Sequence, residues 1–317
     1  MRYIYKSNLL FFFLINFLFS AINFNLELIQ NIQIQEHNSN SNFGVSDVWG
    51  YTDEMGIEYA IVGYRYGTFI FDISSNPENP IQIADIVGPS MGDYYFHRDY
   101  KTYGDYLYIV NEMYGGDIGM QVIDLSPLPN EEPIKLDTYS EIAQSHNLWI
   151  NDEGFAFIEH QTGDNIHIAN LENPSSPIIE SSFNNLASNC HDIFTNSNLA
   201  YVSEGYSNRF AIYDITDLGN LSNPLAIIPC EGYAHNAWTN DEGSLLVTTE
   251  ETEDKTVKIW DISNLNDITL LGEYLGENNL AHNVHVKDNL VYISHYTTGI
   301  KIIDIFDATR PVEVAAY

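Results

Sequence analysis

A short phrase led by histidine returns five times along the chain, and nothing else in the sequence limits the fold so strongly. The copies are Phe96-His97-Arg98-Asp99-Tyr100, Ser145-His146-Asn147-Leu148-Trp149, Cys190-His191-Asp192-Ile193-Phe194, Ala234-His235-Asn236-Ala237-Trp238 and Ala281-His282-Asn283-Val284-His285. Their histidines stand 49, 45, 44 and 47 residues apart. A sixth copy, Ser46-Asp47-Val48-Trp49, keeps the frame with Ser46 in the histidine's place. Repetition at this period belongs to solenoids and propellers, in which each unit needs its neighbours to cover its apolar faces.

Inside a unit the pattern is that of strands. In the fifth, a run from His235 is followed by the turn Asn240-Asp241-Glu242-Gly243 and a second strand over Ser244 to Thr249. A third strand covers Thr256 to Ile262 and a fourth Thr269 to Tyr274. The third strand is the most regular, as in Thr68-Phe69-Ile70-Phe71-Asp72-Ile73 and Ile300-Lys301-Ile302-Ile303-Asp304-Ile305. Its near-continuous apolar character suits a strand covered on both faces, and the Asp that ends it (Asn170 once) reads as a turn cap. Six such units, with no helical periodicity, give an all-β chain: a β-propeller of six four-stranded blades over 46–317, with repeats beginning near 46, 97, 146, 191, 235 and 282. Within 22–45, the stretch Leu26 to Ile34 reads as a closing strand that joins the last blade and latches the ring.

Arg2 and Lys6 precede an apolar run from Leu9 to Phe19 and the small residues Ser20 and Ala21, so 1–21 reads as a secretory signal peptide. The mature chain is expected outside the cell or at its surface, as a monomer with no transmembrane span. Export permits a disulfide between Cys190 and Cys230, which occupy comparable places in neighbouring units; two free thiols are the alternative. A net charge of −32, from 44 acidic and only 12 basic residues, excludes a nucleic-acid phosphate surface as partner. It leaves divalent cations or an unidentified extracellular ligand or surface component.

The passage from Ile302-Ile303-Asp304-Ile305 through Pro311-Val312-Glu313-Val314 resembles the LVIVD repeat. The order Ser46-Asp47-Val48-Trp49-Gly50-Tyr51-Thr52-Asp53, then His97-Arg98-Asp99-Tyr100-Lys101-Thr102-Tyr103-Gly104, then the His-Asn-x-Trp units, resembles the choice-of-anchor B family of exported proteins. The resemblance spans essentially the whole mature chain. It implies an extracellular or cell-surface propeller, often attached through a variable C-terminal signal, and this sequence stops at Tyr317 before any such signal. It implies no particular molecular function.

The residues themselves offer a site. Each second strand ends on an aligned polar residue, giving Glu112, His160, Glu204, Glu250 and His295 in the histidine-led units. A tight hairpin sets the start of one strand beside the end of the next, so His97 should face Glu112, His146 His160, His191 Glu204, His235 Glu250 and His282 His295. If the innermost strands line a channel, these ten residues form two stacked rings at one rim. Imidazole with carboxylate is the ligand set of Zn, Mn, Fe, Ni or Cu rather than Ca or Mg. Asp99, Asn147, Asp192, Asn236 and Asn283 are the residues expected to orient those ligands.

Three functions follow. The chain is a ligand- or partner-binding module with a His/Glu metal or ligand site at the rim; or a metal-dependent hydrolase or lyase with Glu204 or Glu250 as base; or a purely structural surface repeat protein. The structural alternative is that the histidines bond the blades together, as in WD-type repeats, which His235 with Trp260-Asp261 resembles. No phosphate loop, nucleophile elbow or cysteine-pair zinc motif is present, and a Ser-His-Asp hydrolase is unsupported.

Overall fold

A computed structural model describes residues 25–34, 45–91, 97–115, 118–159, 165–184, 190–219, 221, 223–276 and 280–317. The expected signal peptide and His160 lie outside the described residues. Six separate sheets of four antiparallel strands follow one another along the chain, each a simple meander, and together they make a six-bladed β-propeller. The innermost strands are Val48–Thr52, Arg98–Tyr103, Leu148–Ile150, Asp192–Asn196, Ala234–Thr239 and Val284–Lys287.

Local chemistry accounts for the meander. In all six units the hairpin from first to second strand carries one residue at positive φ: Gly56, Gly104, Gly154, Ser197, Gly243 and Asp288. A tight hairpin needs that left-handed step, and Gly, Asp and Ser meet it at the lowest steric cost. The acid or amide ending each third strand caps the following turn. Asp72 Oδ1 accepts from Ser75 N at 2.9 Å, Asp124 from Ser126 N at 2.9 Å and Asn170 from Glu172 N at 2.6 Å. Asp214, Asp261 and Asp304 repeat the bond at 2.9, 3.0 and 2.8 Å. These residues cap the turns that follow the third strands.

Between blades the apolar faces interlock. One buried cluster joins blades 1 and 2 through Tyr51, Ile61, Tyr100 and Leu107, and equivalent clusters join 2 to 3, 3 to 4, 4 to 5 and 5 to 6. Among the described residues no such cluster joins blade 6 to blade 1, and Val48 on that side is 59% exposed. The expected latching strand is not formed. Leu26 to Ile34 has no strand pairing and is largely exposed; it meets the ring through side chains, Asn25 Nδ2 donating to Val314 O at 2.7 Å and Gln30 Nε2 to Glu78 O at 3.1 Å. The sixth blade takes all four of its strands from 284–316. The reason is compositional: Gln30, Asn31 and Gln33 satisfy polar groups locally, as Gln30 Oε1 does for Asn31 N, and compete with a ladder.

The two cysteines are free, the second of the two alternatives. Each thiol lies against a carbonyl two residues along its own chain, Cys190 at Asp192 O and Cys230 at Gly232 O.

Candidate functional site

The innermost strands surround a channel, and one cavity of about 650 Å³ occupies it. His97, His146, His191, His235 and His282 all line it, one from the head of each innermost strand in blades 2 to 6. Their rings touch in sequence order, with centroids 5.3, 4.5, 4.1 and 4.0 Å apart. The five imidazoles therefore form a continuous arc whose gap falls at Ser46, in the unit that lacks the histidine.

Strand geometry sets two further layers beneath the arc, because alternate residues of a strand face the same side. The first holds Asp99, Asn147, Asp192 and Asn236, which bond across the seams. Asp99 Oδ2 accepts from Leu148 N at 2.7 Å, Asn147 Oδ1 from Ile193 N at 3.2 Å, and Asn236 Oδ1 from Val284 N at 2.9 Å. Asp192 Oδ2 accepts from Asn236 Nδ2 at 2.9 Å. These residues, expected to orient metal ligands, clasp each blade to the next. The fifth, Asn283, ends the series: its Oδ1 is shielded from solvent and has no hydrogen-bond partner among the described residues. In the second unit an extra residue, Arg98, displaces the frame by one and buries its guanidinium against the Tyr64 and Arg65 carbonyls.

The second layer is aromatic. Trp149 meets Trp238 at 4.9 Å and Phe194 at 4.7 Å, and Trp238 stacks on His285 at 4.3 Å. Lys101 Nζ lies 4.4 Å from the Trp49 ring centre and 2.9 Å from Asp99 Oδ1. His285 also faces this part of the channel.

The acids expected opposite the histidines are distributed unevenly. Glu112 reaches a histidine, but in the next blade: its Oε1 lies 2.8 Å from His146 Nδ1. Glu204 is fully buried and turned to Arg209 and the Tyr213 hydroxyl. Glu250 accepts from Glu231 N and Gly232 N and pairs with Lys258. His295 packs against Gly276 and holds Thr298, away from the cavity. The two bases named for a hydrolase are thus engaged elsewhere.

Their places are taken by neighbours. Glu159 Oε2 accepts from His146 N at 3.1 Å. Glu251 lines the cavity, with Oε2 3.7 Å from His235 Nε2 and Oε1 accepting from the Tyr296 hydroxyl. A bulge explains the fifth blade: Ala234 pairs with Glu250 and Asn236 with Thr249, so His235 is the extra residue. One inserted residue reverses the facing, and the carboxylate brought round to His235 is Glu251. Sequence spacing alone cannot register a bulge.

Electrostatics divide the arc. Burial opposes a charge on His146, but the Glu112 hydrogen bond and the Glu112, Glu159 and Asp99 carboxylates overcome it and raise its pKa to about 9. Burial pulls the other four down, aided by the His146 charge: His97 is lowered, His191 and His235 fall well below the usual range, and His282 drops to about 4. At neutral pH the arc holds one imidazolium and four neutral rings. His191 Nδ1 donates to the His235 carbonyl at 2.9 Å, which fixes its tautomer and leaves the Nε2 lone pair unprotonated. Neutral imidazoles of this kind can ligate a borderline metal ion, and the donor set fits one.

Residues 280–317 match the LVIVD repeat family. The chain thus carries an LVIVD-type repeat in its sixth blade. No curated protein matches the chain in sequence. Among solved structures, a 6-phosphogluconolactonase-like protein described as putative, from Bacteroides fragilis, is similar with a TM-score of 0.63 at 14% identity, over 84% of this chain and 82% of that one. The periplasmic gluconolactonase of Pseudomonas aeruginosa also gives 0.63, at 10% identity over 85% and 86%. A functionally unknown protein from Desulfotomaculum acetoxidans gives 0.61, at 13% identity over 86% of each. At these identities the likeness is one of fold. Among the described residues no helix is long and apolar enough to cross a membrane.

Proposed function

We propose that this LVIVD-type propeller is an exported or cell-surface binding module whose channel takes its ligand at the histidine end, with a divalent transition ion as cofactor. One observation carries the reading: five imidazoles in ring contact line a 650 Å³ cavity, and four of them are neutral donors at physiological pH. A lining needed only to hold blades together is already supplied one layer below, by the carboxamides and carboxylates that cross the seams. Binding is preferred to hydrolysis because Glu204 and Glu250 are tied to cations and backbone outside the cavity.

Elemental analysis of the purified chain, with thermal-shift measurements against Mn, Fe, Co, Ni, Cu and Zn, tests the reading in the wild type and in His191→Ala and His235→Ala. Metal carried by the wild type and reduced in either variant supports it. Negligible metal and no thermal shift in all three would overturn it and leave the histidines as channel lining.

A further inference from the structure

The arc has two flanks, and among the described residues one of them brings three donor side chains within ligand distance of one another. We infer that His235, Glu251 and His282 form a three-ligand centre for a divalent transition ion, with Tyr296 positioning the carboxylate. The inference rests on the binding reading above and assigns it to one side of the mouth.

Ligand atoms of these three residues all lie within 4.8 Å of one another. The 3.7 Å between His235 Nε2 and Glu251 Oε2 is too long for a hydrogen bond. It is near the ~3.4 Å edge of a tetrahedron whose metal–ligand bonds are about 2.1 Å. His235 is 2% exposed, and its ring is packed between those of His191 and His282, with centroids 4.1 and 4.0 Å away. His282 is anchored from behind, its carbonyl accepting from Thr249 Oγ1 at 2.6 Å. Two neutral imidazoles and one carboxylate are a donor set for Zn or Fe that leaves coordination positions open towards the cavity.

Tyr296 completes the arrangement. Its hydroxyl donates to Glu251 Oε1, which leaves Oε2 as the oxygen turned to His235. Its ring meets the His282 ring edge-on at 5.0 Å. The residue adopts φ 37°, a left-handed backbone that a bulky side chain rarely takes, held by the Gly299 N–H on its carbonyl. Such conformations persist where surrounding contacts fix them, commonly at binding sites. Among the described residues the opposite flank lacks these features: His146 Nδ1 is occupied by Glu112.

Titration of the full chain with Co(II), read by its visible absorption bands, and with Zn(II) in competition, tests the assignment. The wild type should bind one ion. Glu251→Gln, His235→Ala and His282→Ala should each weaken binding more than about 100-fold, and Tyr296→Phe about tenfold, the effect of losing a partner that orients a ligand. Glu180→Gln, an exposed carboxylate on an outer strand that accepts from Asn170 away from the cavity, should change it less than about threefold, well below that range. Glu251→Gln is close to isosteric, and its circular dichroism separates lost ligation from lost fold. Binding in Glu251→Gln equal to the wild type, or loss that follows His97→Ala and His191→Ala instead, would overturn the assignment while leaving the binding reading standing. No uptake of either ion by the wild type would overturn both.

Discussion

The flank of the mouth built by blades 2 and 3 and the flank built by blades 5 and 6 come from the same repeat, yet they hold opposite chemistry. On the first, His146 faces Glu112 at 2.8 Å and is a cation, Asp99 pairs with Lys101, and the seam is clasped by Leu148 N. On the second, His235 faces Glu251 at 3.7 Å and is neutral, and the clasp ends at the unpartnered Asn283 Oδ1. Distance alone does not explain this. At an effective dielectric near 20, moving a carboxylate from 2.8 to 3.7 Å weakens its attraction by only about 1.4 kcal/mol, or roughly one pKa unit. The surroundings decide it: His146 meets three carboxylates, whereas His235 meets the rings of His191, His282 and the charged His146. One proton, placed where the acids converge, keeps the rest of the arc available as donors.

The largest expected effect comes from removing the anion beneath the charged flank. Asp99→Ala takes away the partner of the buried Lys101 and the acceptor of Leu148 N. An uncompensated buried charge costs about 3–5 kcal/mol, and urea denaturation should place the variant at the low end of that range. The moderation comes from Asp47, whose carboxyl is pushed well up by burial and by Asp99, with which it shares a hydrogen bond. Freed of that neighbour, the Asp47 carboxyl is raised by burial alone, with Lys101 acting to lower it. A loss below about 1 kcal/mol, the scale of an ordinary hydrogen bond, would mean that the two flanks are equally tolerant.

Next is the proton itself. His146 titrates at about 9 when folded against 6.5 unfolded, so its contribution to stability is complete below pH 6.5 and disappears as pH rises towards 9. The contribution is at most about 3.4 kcal/mol by linkage. In Glu112→Gln the hydrogen-bonded charge is gone and the His146 pKa should fall from about 9, flattening that pH dependence. Two-dimensional NMR of the imidazole signals reads the shift directly. A pKa that stays near 9 would assign the proton to Glu159 and Asp99 and remove Glu112 from the comparison.

Much of this architecture is legible in the amino-acid sequence. The period, the positive-φ turn residues and the capping acids each act locally, and each holds in the structure. The gathering of the five histidines follows from the same frame, because a repeat closed into a ring must bring equivalent residues to one end. The acids opposite them were not legible. Glu250 and Glu251 are adjacent in sequence and face opposite ways, and the bulge at His235 that selects between them leaves no mark in composition or spacing. Glu204 is misread for a different reason: it sits at the expected position, but Arg209 and Tyr213 offer it buried partners that the channel does not. The clasping role of Asp99, Asn147 and Asn236 was hidden because a strand-head amide reads equally well as a ligand's partner or a backbone acceptor. Leu26 to Ile34 alternates like a strand, but an exposed stretch rich in Gln and Asn gains too little burial to pair.

The smallest effect distinguishes the seams. Asn236 both donates to Asp192 and accepts from Val284 N, so Asn236→Ala strands a backbone N–H between blades 5 and 6 and should cost about 2 kcal/mol. Asn283 occupies the same place in the next repeat, but its Oδ1 has no partner and the seam to blade 1 has no apolar cluster across it among the described residues. Asn283→Ala therefore has no acceptor bond to lose and should change stability by less than about 0.5 kcal/mol in the same urea series. Equal costs would show that blade 6 is clasped to blade 1 in solution as firmly as to blade 5. The contrast between a tightly locked flank and a looser one beside Glu251 would then be lost. Unequal costs in the stated order would instead make the neutral, metal-ready side of the mouth also the side where the ring is least constrained. That is where a loop such as the one bearing Tyr296 can adjust around an incoming ligand without breaking a blade-to-blade bond.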